Sequence, residues 1–223
     1  MKLSKTAALA LLIGIFSLVA ALGLAQVQVG DMVLFGSYEQ DNDLANGPEP
    51  IEWQVLAIED GNAMMISRWI LDKAAYSDGR ATTSWVRSSL RAWLNDGFYN
   101  TAFTDEEKQK LVAKELSTRY EKHGKTADPV TLIGTDDALH LMQGMETRKA
   151  YPTEYAKAQG IYKSEKYHPS THYWTRNPSF AAWYKASFIA ASGGVMKCGG
   201  SASAPNYGVR PVIYVPAEAL NAN

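Results

Sequence analysis

The sequence predicts an α+β fold, and three stretches carry that prediction: a β-hairpin from Ile51 to Ile70, a tryptophan-bearing helix after it, and a strand returning near the C-terminus. In the hairpin, Ile51, Trp53, Val55 and Ala57 alternate with Glu52, Gln54 and Leu56, and Ala63, Met64, Met65, Ile66 and Ser67 follow the triplet Asp60-Gly61-Asn62. A period of two sends alternate side chains to opposite sheet faces, and Asp-Gly supplies the backbone of a tight turn, so a half-buried antiparallel pair is expected. Ser84 can cap a helix in which Val86, Leu90, Trp93 and Leu94, three and four residues apart, share one face up to Asn95-Asp96-Gly97. Val209 to Val215 reads as the returning strand.

The 223 residues are 46% hydrophobic and 20% charged, the balance of a soluble globular protein able to bury one core. A formal net charge of -1 leaves no basic field for phosphates, so nucleic acid and anionic lipid are set aside as partners. Lys2 and Lys5 precede an apolar run from Ala7 to Ala25, with the small residues Gly23 and Ala25 at its exit. That is the pattern of a signal peptide over residues 1–25, cleaved before Gln26, and residues 26–223 are then a single globular domain in an extracytoplasmic setting: secreted, periplasmic or cell-surface. The same run approaches the roughly 20 residues that span a bilayer, so an uncleaved anchor is the one route to a membrane left open. Lipid attachment through an N-terminal cysteine is excluded, because Cys198 is the only cysteine. It leaves no internal disulfide, and its Lys197-Cys198-Gly199 surroundings hold no recognised catalytic partner.

Along the chain, Val27 to Tyr38 is expected as an opening strand and Glu39 to Pro50 as a polar loop. The loop's Asp41, Asn42 and Asp43 lack the glycine and glutamate spacing of a calcium helix-loop-helix site. Leu71 to Thr83 reads as a polar connection, and Arg87 and Arg91 as either an exposed face, an ion pair or a carboxylate clamp. Thr104 and Glu107 form a capping box that opens a helix to about Leu116, and a second helix is expected over Thr135 to Met145. Tyr120 to Val130 reads as a surface loop. His168 and His172 have helical metal-ligand spacing, but Pro169 between them opposes a helix, and neither a metal nor another cofactor is assigned. Short strands are expected over Ala186 to Ser192 and Val195 to Cys198.

Several motifs recur in a familiar order: Phe-Gly-Ser-Tyr-Glu-Gln at 35–40, Glu-Pro-Ile-Glu-Trp-Gln-Val-Leu at 49–56 and Ser-Ser-Leu-Arg-Ala-Trp-Leu-Asn at 88–95. Tyr-Trp-Thr-Arg-Asn-Pro at 173–178 and Gly-Val-Arg-Pro-Val at 208–212 complete the set. Together they resemble a bacterial family of exported or surface proteins known as domain of unknown function 6273. The Trp-Thr-Arg and Gly-Val-Arg-Pro segments also resemble the closing part of C-type-lectin-like domains, including relatives of the formylglycine-generating enzymes. That likeness implies a twisted antiparallel sheet with flanking helices and long loops. It transfers no activity, and the single cysteine departs from the enzyme branch.

The aromatic stretch from Tyr151 to Phe188 interleaves rings with Arg176, Asn177, His168 and His172, material suited to a sugar- or peptide-binding surface. Trp174, Arg176, Asn177, Trp183 and Arg210 are the ligand-facing candidates of a non-catalytic recognition module for a glycan or an envelope or surface protein. The opposed reading puts Trp174 in the core and pairs Arg176 and Arg210 with acids. An enzyme on the same scaffold and an envelope scaffold protein are the alternative functions. No acid/base pair or activated nucleophile is evident for the enzyme.

Overall fold

The computed structural model describes residues 26–79, 83–119, 121 and 124–220. The N-terminal apolar stretch, with its expected cleavage or anchoring, lies outside the described residues. Among the described residues no helix is long and apolar enough to cross a membrane.

The architecture is α+β, with mostly antiparallel sheets and short helices. Strand β1 (Met32–Tyr38) is followed by the hairpin of β2 (Glu49–Glu59) and β3 (Asn62–Ser67), and by β4 (Asp72–Ala74). Helix α1 (Ser89–Trp93) runs through a π turn (Leu94–Phe98) into α2 (Tyr99–Ala102), and α3 (Asp105–Lys108) follows. Then come β5 (Lys114–Leu116), β6 (Thr126–Asp128), β7 (Val130–Leu132), α4 (Thr135–Leu141), α5 (Met145–Arg148) and α6 (Glu154–Ala158). The chain closes with β8 (Tyr173–Pro178), β9 (Lys185–Ile189), β10 (Val195–Ser201), β11 (Tyr207–Val209) and β12 (Pro211–Pro216). One five-stranded sheet has the order β1-β2-β3-β12-β7, a second the order β10-β9-β8-β11-β4, and β5 and β6 form a ribbon. A single twisted sheet was expected, and the strands divide between two instead. The returning strand accounts for part of this division. Its two halves, β11 and β12, flank Arg210 and enter different sheets.

The hairpin forms where the letters place it. Asp60 (φ 52°) and Gly61 (φ 77°) both take the left-handed backbone that a tight hairpin turn requires, and Ala63 then pairs with Ile58. Its burial differs from the expectation. From Ala63 to Ser67 every residue of β3 is buried, because the first sheet carries apolar packing on both faces. Ala63, Met65, Ile213 and Val215 join one core with Trp53, Phe98 and Trp174, while Met64, Ile66, Val212 and Tyr214 join a second with Ile133, Ala138 and Tyr173. An uninterrupted apolar run is what a strand covered on both sides needs.

Helix starts are set by local chemistry and helix ends by tertiary contacts. The cap of α1 is Ser88, whose Oγ accepts from the Arg91 N–H, and not Ser84. Ser84 donates instead to Glu121, which also accepts from the Trp85 N–H, so the preceding segment is held off helical geometry. The capping box of Thr104 and Glu107 is present, yet α3 stops at Lys108 because the Val112 N–H donates to Tyr214 O and Lys114–Leu116 pairs with β6. The helix expected from Thr135 breaks after Leu141, and the chain resumes as α5 past Gly144. Part of the expected polar connection is β4, which pairs with β11.

Candidate functional site

A groove of about 560 Å³ opens where four separate segments meet, lined by Gln40, Asp41, Trp69, Tyr151, Pro152, Thr153, Glu154, Lys157 and Pro169. Its construction begins past the end of β3. There Ile70 bridges in parallel to Pro152, with the Ile70 N–H donating to Tyr151 O (2.9 Å) and the Thr153 N–H to Ile70 O (3.0 Å). A β-bridge at Ile70 turns that side chain into the core and its neighbour outward. Ile70 is fully buried, while Trp69 is half-buried and Tyr151 is 39% exposed. The two rings stand 6.4 Å apart at 60°. Arg68 covers part of the indole, its guanidinium carbon 4.9 Å from the ring centre, and is held there by Glu52 at 3.0 Å.

The rim is fixed by a helix cap and a turn. Thr153 Oγ1 accepts from the Ala156 N–H and starts α6, which presents Glu154 and Lys157 as an ion pair one turn apart. The Tyr155 N–H donates to Gln40 O and draws the 39–48 loop to the helix. Within that loop Asp41 accepts from the Asp43 N–H and from Asn46 Nδ2, which holds its carboxyl below the usual range. Glu49 accepts from the N–H groups of Gln40 and Asp41. Glu39, Asp41 and Glu49 each bring a carboxylate oxygen within 4.8 Å of the others, the arrangement among the described residues most able to hold a cation. Burial, with the charges of Glu49 and Asp41, pushes the Glu39 carboxyl up.

The five residues picked from the sequence do not line this groove. Trp174 lies on β8, every residue of which is buried. Its indole N–H donates to Ala74 O (2.8 Å) and its ring packs against Tyr76, Phe188 and Tyr207. It faces the interior because its side of the sheet packs on the core that holds Trp53, Phe98 and Ile213. Arg210, 4% exposed, donates to Ser67 O (2.8 Å) and lies over the Tyr173 ring at 5.5 Å, so its partners are a carbonyl and a ring and not the expected acid. Arg176 does meet an acid, Asp137 at 2.9 Å. Arg176 and Asn177 line a polar cleft of about 320 Å³ with Thr118, Thr135, Asp136 and Asp137, and Asn177 Oδ1 accepts from the Thr135 N–H. Trp183 alone of the five presents an exposed ring, beside Tyr184 on the loop joining β8 to β9.

Other sequence features also find their places. Arg91, itself half-buried, forms an ion pair with the buried Asp128, and Asn95 bonds both backbone groups of Val130. Residues 168–172 are not helical. The His172 ring stacks on Tyr162 at 4.3 Å, its Nδ1 accepts from the Ala191 N–H, and burial lowers its pKa. Cys198 is exposed on β10, an edge strand.

Sequence reasoning missed Trp69. The only local signal was a tryptophan beside an arginine just past a strand, and its partner Tyr151 stood unmarked in the aromatic stretch.

With this geometry in view, comparison with known families places the chain. It belongs to the family described as a domain of unknown function, DUF6273, which matches residues 60–217. No curated protein and no solved structure matches it. The matched span holds Trp69, Tyr151 and α6, while Gln40 and Asp41 lie before it.

Proposed function

We propose that this protein is a non-catalytic extracytoplasmic recognition module that binds a glycan or a surface protein. The carrying observation is the Trp69–Tyr151 groove: two tilted rings and two prolines form its walls, and Gln40, Asp41, Glu154 and Lys157 stand at its rim. Flat apolar walls with a few fixed polar groups suit a ligand that has an apolar face and polar edges. The extracytoplasmic setting rests on the N-terminal sequence pattern, and the extent of the domain, residues 26–223, belongs to the same proposal. A C-type-lectin-like arrangement is part of it too. Its support is that the two segments carrying the resemblance are neighbours in the second sheet, where Gly208 pairs with Tyr173 in parallel.

The test is binding of the mature chain, residues 26–223, to a glycan array and to envelope extracts, alongside a Trp69→Ala variant with an unchanged melting curve. Saturable binding lost in the variant supports the reading. Binding that survives the change moves the site elsewhere, to the Arg176–Asn177 cleft or the Trp183 loop.

A further inference from the structure

Charge at the groove is segregated. Three cations stand nearby, and each is matched by its own acid: Lys157 by Glu154, Arg68 by Glu52 and Lys149, beside Tyr151, by Glu146. Glu39, Asp41 and Glu49 have no such match among the described residues. The hydrogen bonds seen for Asp41 and Glu49 come from backbone amides and from the Asn46 amide, and the Glu39 carboxyl meets the Asn42 backbone and Asp41 while its Oε1 is buried without a partner. The end of the groove next to Asp41 therefore carries a concentrated negative potential, and the crowding is felt in the raised Glu39. The faces of Trp69 and Tyr151 act in the same sense, because the ring quadrupole attracts cations.

We propose that the groove takes a glycan bearing unacetylated amino sugars, with a pyranose face on Trp69 and Tyr151 and the ammonium group directed to Asp41. The inference rests on the groove being the recognition site. A pyranose supplies the flat C–H face that such walls accept, and its free amine supplies the positive charge that complements the three unmatched carboxylates. N-acetylation would remove that charge and add bulk where Asp41 stands.

The experiment is calorimetric titration of the mature chain, in chelator, with glucosamine oligomers, N-acetylglucosamine oligomers of equal length, and a lysine-rich peptide. The expected result is at least tenfold tighter binding of the glucosamine oligomer, weakened by added salt. Asp41→Asn, with Glu39→Gln as a second variant, should erase the preference between the two sugars while both variants keep the native melting curve. Trp69→Ala should abolish binding of both sugars. Equal affinity for the two oligomers overturns the amino-sugar inference but leaves the recognition reading standing. Tighter binding of the peptide than of either sugar also overturns it and selects a protein partner. If none of the three binds, the inference fails, and a blank glycan array and envelope extract would then remove the recognition reading separately.

Discussion

Arg91 grips Asp128 with one edge of its guanidinium, Nε at 2.9 Å from each carboxylate oxygen and Nη2 at 2.6 Å from one. Asp128 is 3% exposed, and the Trp85 indole N–H also donates to it. The pair ties α1 to β6 at the end of the ribbon. Breaking a buried pair leaves one charge uncompensated, so Arg91→Ala should cost about 3 kcal/mol. Denaturant unfolding measures it. Arg91→Lys should recover only part of the loss, because an ammonium cannot reproduce the two-nitrogen fork. A variant as stable as the parent would mean that the contact contributes nothing.

Trp174 is fully buried among Tyr76, Phe188 and Tyr207. Trp174→Ala should therefore lower stability by about 3–5 kcal/mol, the range for removing a large core ring. Thermal and chemical melts report it directly. A normal melt with weakened ligand binding would instead restore Trp174 to a ligand-facing role.

Gly193 sits at φ +83°, and a Cβ there would come 1.8 Å from the Met145 backbone oxygen. The same residue's carbonyl accepts from Arg148 Nε at 2.8 Å, so it cannot shift freely. Gly193→Ala should destabilise by more than the roughly 1–3 kcal/mol of backbone strain alone. Gly124→Ala is a useful control: its φ is also positive, but a Cβ would meet nothing within 4 Å.

Burial pushes the phenol of Tyr214 up to about 12 and raises Tyr38, Tyr76 and Tyr173 as well. An unfolded tyrosine ionises near pH 10. The folded state thus holds protons that the unfolded state has released, and stability falls as pH rises from about 10 through 12. Tyrosinate absorbance should develop in two phases, exposed rings first and these four together with unfolding. A single phase near the ordinary value would contradict the burial.

How far the letters could be read depended on whether the relevant physics was local. The Asp60-Gly61 turn and the Thr104 capping box are decided by neighbours a few residues away, and both formed where expected. The length of α3 was not legible, since a strand oxygen at Tyr214 competes for the Val112 N–H. Strand β8 misled for a related reason. Trp174, Arg176 and Asn177 mix rings and polar groups as a binding surface does, but most of the polar atoms are answered within the fold, by Leu132 O, Asp137 and the Thr135 N–H, with Arg176 Nε the one left without a partner on these residues. Trp69 and Tyr151 meet only through the Ile70–Pro152 bridge, a contact that no local pattern announces.

That bridge has a thermodynamic consequence. Trp69, Tyr151 and Asp41 share no site in the unfolded chain, so whatever occupies the groove binds the native state alone and must raise the melting temperature. Saturation at a hundredfold excess over the dissociation constant is worth about 2.7 kcal/mol. The protein's own heat resistance can therefore serve as the assay: a thermal scan across candidate oligosaccharides would find the ligand before any activity is known.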